Sequence, residues 1–519
     1  MQKTRDEAER IFYVGALLLA PPCPVYTPAL QAATSVTPFC PSSRFRSLCR
    51  LVLAALTVAG LAAGGPTHAT PVAPSDTTRF AGDWVGTLSV GSTELRVVFR
   101  LQTDADGDLT GTMDSPDQGA TGIPIGTVLV DQDTLRLEVP SIAGQYAGVL
   151  GDSAETLTGQ WVQGGQRFPL RLERTEDAPL VRRPQEPDFP VPYSSESVSF
   201  RNEADGVTLR GTLTRPQTDG PVPGVVLVAG SGPSDRNATI MGHKPFLVLA
   251  DALTRRGLAV LRFDERGVGQ SSGTQAGATT ADLSGDVAAA VEALAQRQGV
   301  KSSEIGIIGH SEGGIIAPMV ATQSDQVSFL VLLAAPGLPG DAILADQLDR
   351  RIRRQGADRR IRALQSGTQQ RIFEVLKQDA DSAEIAGQLE KIMLQTRGIS
   401  GKEVIDREIQ RLMDPWLRFF IAHDPRTTLR DVDVPVLALA GSKDQQVAPD
   451  TNQAAIAQAL NADANPDVTV RTLDGLNHLF QTADTGAPSE YGRIEETFAP
   501  AAIDVIADWI DEQVGLPGE

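Results

Sequence analysis

The chain has 519 residues, of which 41% are hydrophobic, with a formal net charge of -19 and a pI near 4.8. That length is too great for one ordinary domain and the apolar content is ample for packed cores, so two or three globular units are expected. The acidic balance, with no face dominated by lysine or arginine, excludes an electrostatic grip on nucleic acid or anionic lipid and leaves small, neutral or cationic partners.

All three cysteines, Cys23, Cys40 and Cys49, fall in the first fifty residues, so the rest of the chain has no disulfide, thiol nucleophile or cysteine metal site. Arg44, Arg46 and Arg50 precede the apolar run Leu51 to Ala63, and Thr67-His68-Ala69 follows it as a small-residue cleavage site. This is the pattern of a secretory signal peptide, and the run falls short of the roughly 20 residues a membrane span requires. The apolar IFYVGALLLA lies upstream, behind a mixed-charge start containing Asp6, Glu7 and Glu9. Residues 1–69 therefore read as a start assigned too far upstream plus a signal peptide. The mature protein is expected in the periplasm or outside the cell, with no stable membrane span.

From 79 to 174 the chain consists of short alternating runs, among them WVGTLSV, LRVVFRLQ, TLRLEV and RFPLRLE, broken by turn residues. Period-two alternation at this spacing predicts an antiparallel all-β domain, a sandwich or a small barrel. Asp104, Asp106 and Asp108 could suggest a calcium loop, but the glycine and terminal glutamate that such a loop needs are out of place. A hairpin turn around Asp-Gly accounts for them. Residues 175–195 carry Pro179, Pro184, Pro187, Pro190 and Pro192 and read as a semi-rigid linker at a domain boundary.

Over 196–519 the pattern changes. SVSF and VTLRGTL predict a hairpin, and GVVLVAG, LAVLRFD, IGIIGHS, FLVLLAA and PVLALAG are near-continuous apolar strands separated by helical text. Buried runs alternating with helices make a mostly parallel sheet covered on both faces. Residues 341–424 form a polar, helix-rich insertion without a strand, the composition of a lid.

The pattern Gly-x-Ser-x-Gly occurs twice, as GQSSG at Gly269 to Gly273 and as GHSEG at Gly309 to Gly313, in a chain with 49 glycines. A nucleophilic serine needs a strained strand-to-helix turn that projects its hydroxyl above the sheet. Only Ser311 has a buried strand, Ile305 to Ile308, immediately before it; Ser271 sits within polar loop text and is structural. Pro318, in the second turn of the helix after Ser311, should kink that helix.

A serine hydroxyl needs a base to take its proton, and there are five histidines. His68 lies in the signal region, and His310, beside the nucleophile, is expected to aim elsewhere. His243 and His423 fit packing or surface roles, although either could touch substrate. His478, on a loop after the last strand, stands where a base belongs. The base needs a carboxylate to fix its tautomer, and Asp444, at the carboxyl end of the strand Pro435 to Ala440, supplies it, with Asp450 and Asp474 as rivals. Two amide donors should hold the developing oxyanion: the N–H of Glu312, and one from Gly230-Ser231-Gly232-Pro233, where Pro233 has no N–H and Ser231 precedes Gly232 in preference.

DERGVGQS at Asp264 to Ser271 looks like the D-x-R-G-x-G-x-S loop after the fourth strand of many α/β-hydrolases. With GHSEGG, GSGPSDRN, PWLRFFIAHDP, GSKDQQVAP and DSPDQGA, the chain from Phe80 to its last helix resembles bacterial EstD-like esterases, in which a β-rich domain precedes the hydrolase. The order Ser311, Asp444, His478 matches the Ser, acid, His order of the α/β-hydrolase fold. The departure is the loop after GVVLVAG, where the common His-Gly is replaced by Gly-Ser-Gly. The resemblance implies a carboxylesterase acting on short acyl esters as small-molecule substrates, with no metal or organic cofactor. Two alternatives remain open: a serine peptidase of the aminopeptidase or prolyl-peptidase type, and an envelope binding protein with a vestigial hydrolase. Trp416, Phe419 and Phe420, near the end of the lid, could shape an apolar acyl pocket or be simple core.

Overall fold

A computed structural model describes residues 77–516, apart from 91–92, 105–106, 119, 176–182, 355, 397–400, 462–464 and 466. The expected leader over 1–69 and the three cysteines lie outside the described residues, as does part of the linker. The described residues belong to one compact unit, within which two sheets form.

The first sheet is an antiparallel meander of β1 (Gly82–Val90), β2 (Thr93–Thr103), β3 (Leu109–Ser115), β4 (Ala120–Pro124), β5 (Thr127–Asp131), β6 (Thr134–Val139), β7 (Gly144–Leu150), β8 (Thr156–Gln163) and β9 (Gln166–Thr175). β9 returns to pair with β1, from Asp83 opposite Thr175 to Gly86 opposite Leu172, so the sheet curls around one interior. At the seam β4 and β5 are not paired; the chain crosses on the Ile125 N–H to Gly111 O bond, 3.1 Å, and the Gly126 N–H to Glu138 O bond, 2.8 Å. Of the two architectures that alternation allows, this is a barrel with one open seam rather than a sandwich. Alternate residues of each strand point inward, and Trp84, Phe99, Tyr146 and Trp161 fill the interior. The polar ends of the buried rings find partners, with Trp84 Nε1 donating to Phe80 O at 2.8 Å. The Asp104 stretch is a hairpin turn between β2 and β3, closed by Asp104 N–H to Asp108 O at 2.8 Å and by Asp108 N–H to the Asp104 carboxylate at 2.9 Å.

The proline-rich stretch is docked rather than free. The Arg183 guanidinium donates to the carbonyls of Met241, Gly242, Gly492 and Ile494, and Gln185 bonds the backbone of Thr497 and Phe498.

The second sheet contains β10 (Ser194–Asn202), β11 (Val207–Arg215), β12 (Val222–Val228), β13 (Ala259–Asp264), β14 (Val300–His310), β15 (Val327–Leu333), β16 (Val436–Gly441) and β17 (Val468–Leu473). The spatial order is β10-β11-β13-β12-β14-β15-β16-β17; the hairpin β10–β11 joins the edge antiparallel, and the other six strands are mutually parallel. β12, β13 and β16 are buried along their whole length, because helices cover both faces. On one face α2 (Thr280–Ala295), α3 (Gly313–Ala321) and α10 (Pro449–Asn461) share a core with the strands. On the other face α1 (Pro245–Arg255) and α11 (Pro500–Val514) do so.

Between β15 and β16 run α4 (Gly340–Arg354), α5 (Arg359–Leu376), α6 (Ser382–Gln395), α7 (Lys402–Leu412), α8 (Pro415–Ala422) and α9 (Pro425–Arg430), with no strand among the described residues. Aspartates at 358, 381, 414 and 424 cap α5, α6, α8 and α9 by accepting first-turn amides, which fixes where each helix begins. The insertion has a core of its own, including Phe373, Ile385 and Leu389, that closes over Ile315 and Met319 of α3. The insertion and the helix after Ser311 therefore share one packed interface.

Candidate active site

β14 ends at His310 and α3 begins at Gly313, so Ser311 must reverse the chain within two residues. It does so at φ 54°, a left-handed conformation that a non-glycine residue adopts only where the surroundings impose it. The surroundings are tight: the Ser311 N–H donates to Leu333 O at 2.8 Å, and its carbonyl accepts from Gly314 N–H at 2.8 Å. A side chain at Gly313 would collide with the Val228 carbonyl, which is why the turn can sit this close to β12. Pro318 lies buried inside α3, which continues through it to Ala321; nothing in the structure explains its use there.

At the end of β16, Asp444 is fully buried, and its Oδ1 accepts the amides of Gln446 and Val447 at 2.7 and 2.9 Å. Its other oxygen, Oδ2, lies 2.7 Å from His478 Nδ1. With the proton on Nδ1, His478 Nε2 is an acceptor. The loop that carries His478 is shaped by Asn477, whose side-chain oxygen accepts the amides of Leu479 and Gln481 at 2.9 and 3.0 Å. Asp474 is occupied elsewhere, accepting from Ser442 Oγ at 2.9 Å, and Asp450 lies exposed in the first turn of α10.

The five histidines separate by environment. His243 is buried between Thr497 Oγ1, 2.9 Å from Nδ1, and Tyr491 O, 2.8 Å from Nε2, and burial and nearby Arg183 lower its pKa to about 4. It is a neutral packing residue. His423 stacks on Phe419. His310 departs from expectation: its ring packs against that of His478, with centroids 4.9 Å apart, and its Nε2–H donates to His478 O at 2.9 Å. Burial, with a smaller contribution from His478, lowers the His310 pKa to about 4, so it stays neutral. Adjacency in sequence to Ser311 does not turn this side chain away, because the last residue of β14 points along the sheet toward the loop after β17. His68 lies outside the described residues.

Ser231 lies on the loop after β12 and Glu312 is the first residue after Ser311; neither amide donates to a backbone carbonyl among the described residues. The loop is held from behind. Arg236 clasps Asp264 through its backbone N–H, Nε and Nη2 at 2.9, 3.0 and 2.6 Å, and Ser234 N–H donates to Glu265 Oε2 at 3.0 Å. Burial pushes the Glu265 carboxyl up to about 8. Ser271, of the second Gly-x-Ser-x-Gly, donates from Oγ to Asp264 O at 2.6 Å and accepts from Arg210 N–H, so it pins the same loop to β11.

A contact with no signal in the sequence joins lid and elbow. Glu312 Oε1 accepts from Trp416 Nε1 at 2.7 Å and from Thr280 Oγ1 at 2.6 Å, and burial raises the carboxyl's pKa. Trp416 and Phe420 line a small compartment beside Ser311; Phe419 faces away from it.

The chain is similar to several known proteins. The family described as serine aminopeptidase, S33, a hydrolase family, matches residues 244–379, which include Ser311 and stop before Asp444 and His478. The esterase EstD of Thermotoga maritima is 26% identical over 364 residues, covering 66% of this chain and 78% of that protein. An uncharacterised protein, YfhR, of Escherichia coli O157:H7 is 28% identical over 161 residues, 31% of this chain and 53% of the relative. Among solved structures, the Pyrococcus furiosus esterase Pf2001 overlaps 62% of this chain and 94% of its own at 17% identity and a TM-score of 0.37. The α/β hydrolase GrgF from Penicillium sp. sh18 overlaps 62% and 99% at 17% identity and a TM-score of 0.39. A parallel sheet with Ser311 on a left-handed turn, a helical insertion and a β-rich domain ahead of it, found together with these sequence relatives, make the chain similar to the α/β-hydrolases and, among them, to the EstD-like esterases.

Proposed function

We propose that the protein is a serine carboxylesterase that hydrolyses short-chain acyl esters through an acyl-enzyme. The observation that carries this reading is the Asp444–His478 hydrogen bond of 2.7 Å at the rim of a cavity that Ser311 also lines. His478 Nε2 takes the Ser311 hydroxyl proton as Oγ attacks the ester carbonyl, and the amides of Ser231 and Glu312 hold the oxyanion. As the intermediate collapses, the carbon–oxygen bond to the alcohol breaks and the leaving oxygen receives the proton from His478. Water, deprotonated by the same base, then frees the acid and restores Ser311. Asp444 keeps the proton on Nδ1 throughout and stabilises the imidazolium. The name of the Thermotoga relative supports ester substrates, and the small compartment beside Ser311 supports a short acyl group.

A second reading, a serine aminopeptidase, is favoured by the description of the family that matches residues 244–379. Rates on short p-nitrophenyl esters against aminoacyl and prolyl anilides separate the two, and preference for the anilides overturns the esterase reading. A fluorophosphonate should label Ser311, and Ser311→Ala should abolish both labelling and hydrolysis; hydrolysis that survives the substitution excludes catalysis at this site. We propose, from the arginines and apolar run at 44–63, that the protein is exported to the periplasm or beyond. Amino-terminal sequencing of the native protein tests this, with cleavage expected after residue 69.

A further inference from the structure

Two compartments of very different size meet at Ser311, Ser231, Gln446 and His478, all four of which line both. The smaller, about 40 Å³, lies under the lid between Glu312, Leu344, Trp416 and Phe420. The larger, about 980 Å³, runs the other way and into one end of the N-terminal barrel. Its far wall is β-domain side chains, including Val90, Leu95, Met113, Ile123, Trp161 and Phe168, and its near wall is Phe246, Leu479 and Phe498 of the hydrolase domain.

We infer that the β-domain is the alcohol-binding half of the active site, and that the substrate is an ester of a short acid with a large apolar alcohol. The reading rests on the esterase proposal and adds to it the class of the leaving group. The acyl and alcohol parts of an ester must lie on opposite sides of the attacked carbon, so one goes into each compartment. The small one admits only a short chain. Leu479, directly after His478, lines the large one and not the small one, so the group that collects its proton from His478 departs into the large cavity. The lining there is dominated by aliphatic and aromatic side chains, the surface that rewards burial of a large apolar group.

The placement of the barrel is fixed by specific bonds. Asp117, between β3 and β4, accepts from Arg96 Nη2 at 2.9 Å and lies 3.3 Å from Arg493 Nε of the hydrolase domain. Burial opposes ionisation of Asp117, but the bonds from the Arg96 side chain and backbone hold its carboxyl below the usual range. Asp117 belongs to the stretch DSPDQGA, in which Ser115, Asp117, Gln118 and Ala120 all line the cavity, so this stretch both docks the barrel and walls the site.

The test is a two-way ester series followed by pH-stat titration. With the acid fixed as acetate, kcat/KM should rise at least tenfold from methanol through 1-hexanol to 2-naphthylmethanol as alcohol; with ethanol fixed, it should fall at least tenfold from acetate to decanoate. Ile123→Glu and Phe168→Glu should lower the naphthylmethyl-to-methyl acetate ratio of kcat/KM at least tenfold, and melting curves show that the variants fold. A rise with acyl length and none with alcohol size overturns the inference while leaving the esterase reading intact, as does a ratio that both variants leave unchanged. Failure to hydrolyse any ester overturns the esterase reading and this inference with it.

Discussion

His478 Nδ1 and Asp444 Oδ2 lie 2.7 Å apart, and the carboxylate that makes this contact is itself held by two amides and shielded from water. With the ring proton held on Nδ1, Nε2 is left as the acceptor. Asp444→Asn keeps the shape but offers an N–H to Nδ1, which moves the ring proton to Nε2, where it cannot take the serine proton. kcat is expected to fall about 10³–10⁴-fold. Melting temperature should change by only a few degrees. A variant within tenfold of the wild-type kcat would remove Asp444 from the reaction.

Glu312 ties the turn that bears Ser311 to the lid through Trp416. Because burial favours its neutral form, Glu312→Gln retains a carbonyl acceptor for Trp416 and Thr280 and should leave kcat/KM within a few-fold. Glu312→Ala removes the acceptor of buried Thr280 and part-buried Trp416 and should cost about 1–3 kcal/mol of stability. It should also raise KM as the lid loosens. Equal behaviour of the two variants, measured by urea unfolding and steady-state kinetics, would show that the contact has no role.

His243 predicts an acid limb in stability. Its pKa is lowered to about 4 in the folded protein against about 6.5 in the unfolded chain. Below pH 6.5 the unfolded state therefore binds the proton first. The contribution of this group is fully present above pH 6.5 and is lost between about pH 6.5 and 4, at a rate of about 1.4 kcal/mol per pH unit. His243→Gln, which can donate and accept in the same two directions, should flatten the limb by that slope. Urea midpoints at pH 7, 5.5 and 4.5 measure it, and an unchanged slope would assign the acid sensitivity to other groups such as His310.

Gly230 stands against Ser311. A methyl group there would sit 3.0 Å from Ser311 Cβ and 3.5 Å from its Oγ. Gly230→Ala should displace the hydroxyl and lower kcat/KM by about 10–10²-fold, since small misplacements of reacting groups are costly. Fluorophosphonate labelling should slow in parallel while thermal unfolding changes little. Undiminished labelling would mean that the turn can yield without moving Oγ.

What the chain determines locally is legible without coordinates. Continuous apolar runs become β12 to β16 because only a sheet covered on both faces buries them, and alternating runs become an antiparallel sheet because one face stays wet. Ser311 stands out because a buried strand stops at a glycine, and Asp444 because it stands in the short loop just past the next strand but one. Adjacency on one sheet is enough for such residues, since parallel strands deliver their carboxyl ends to one edge.

The remainder was settled by contacts between segments far apart in the chain, about which local pattern carries no information. His310 lies against His478, 168 residues away, and Glu312 bonds Trp416, 104 residues away. Neither pairing leaves a periodicity or spacing to read. The choice of barrel over sandwich depended on β9 closing onto β1, and the use of that barrel as a cavity wall depended on Arg493 of the hydrolase domain bonding Asp117 and the Glu94 carbonyl. Sequence fixes which residues must be buried; which buried surfaces meet is a property of the packed whole, because apolar burial is non-directional and many partners would satisfy it equally.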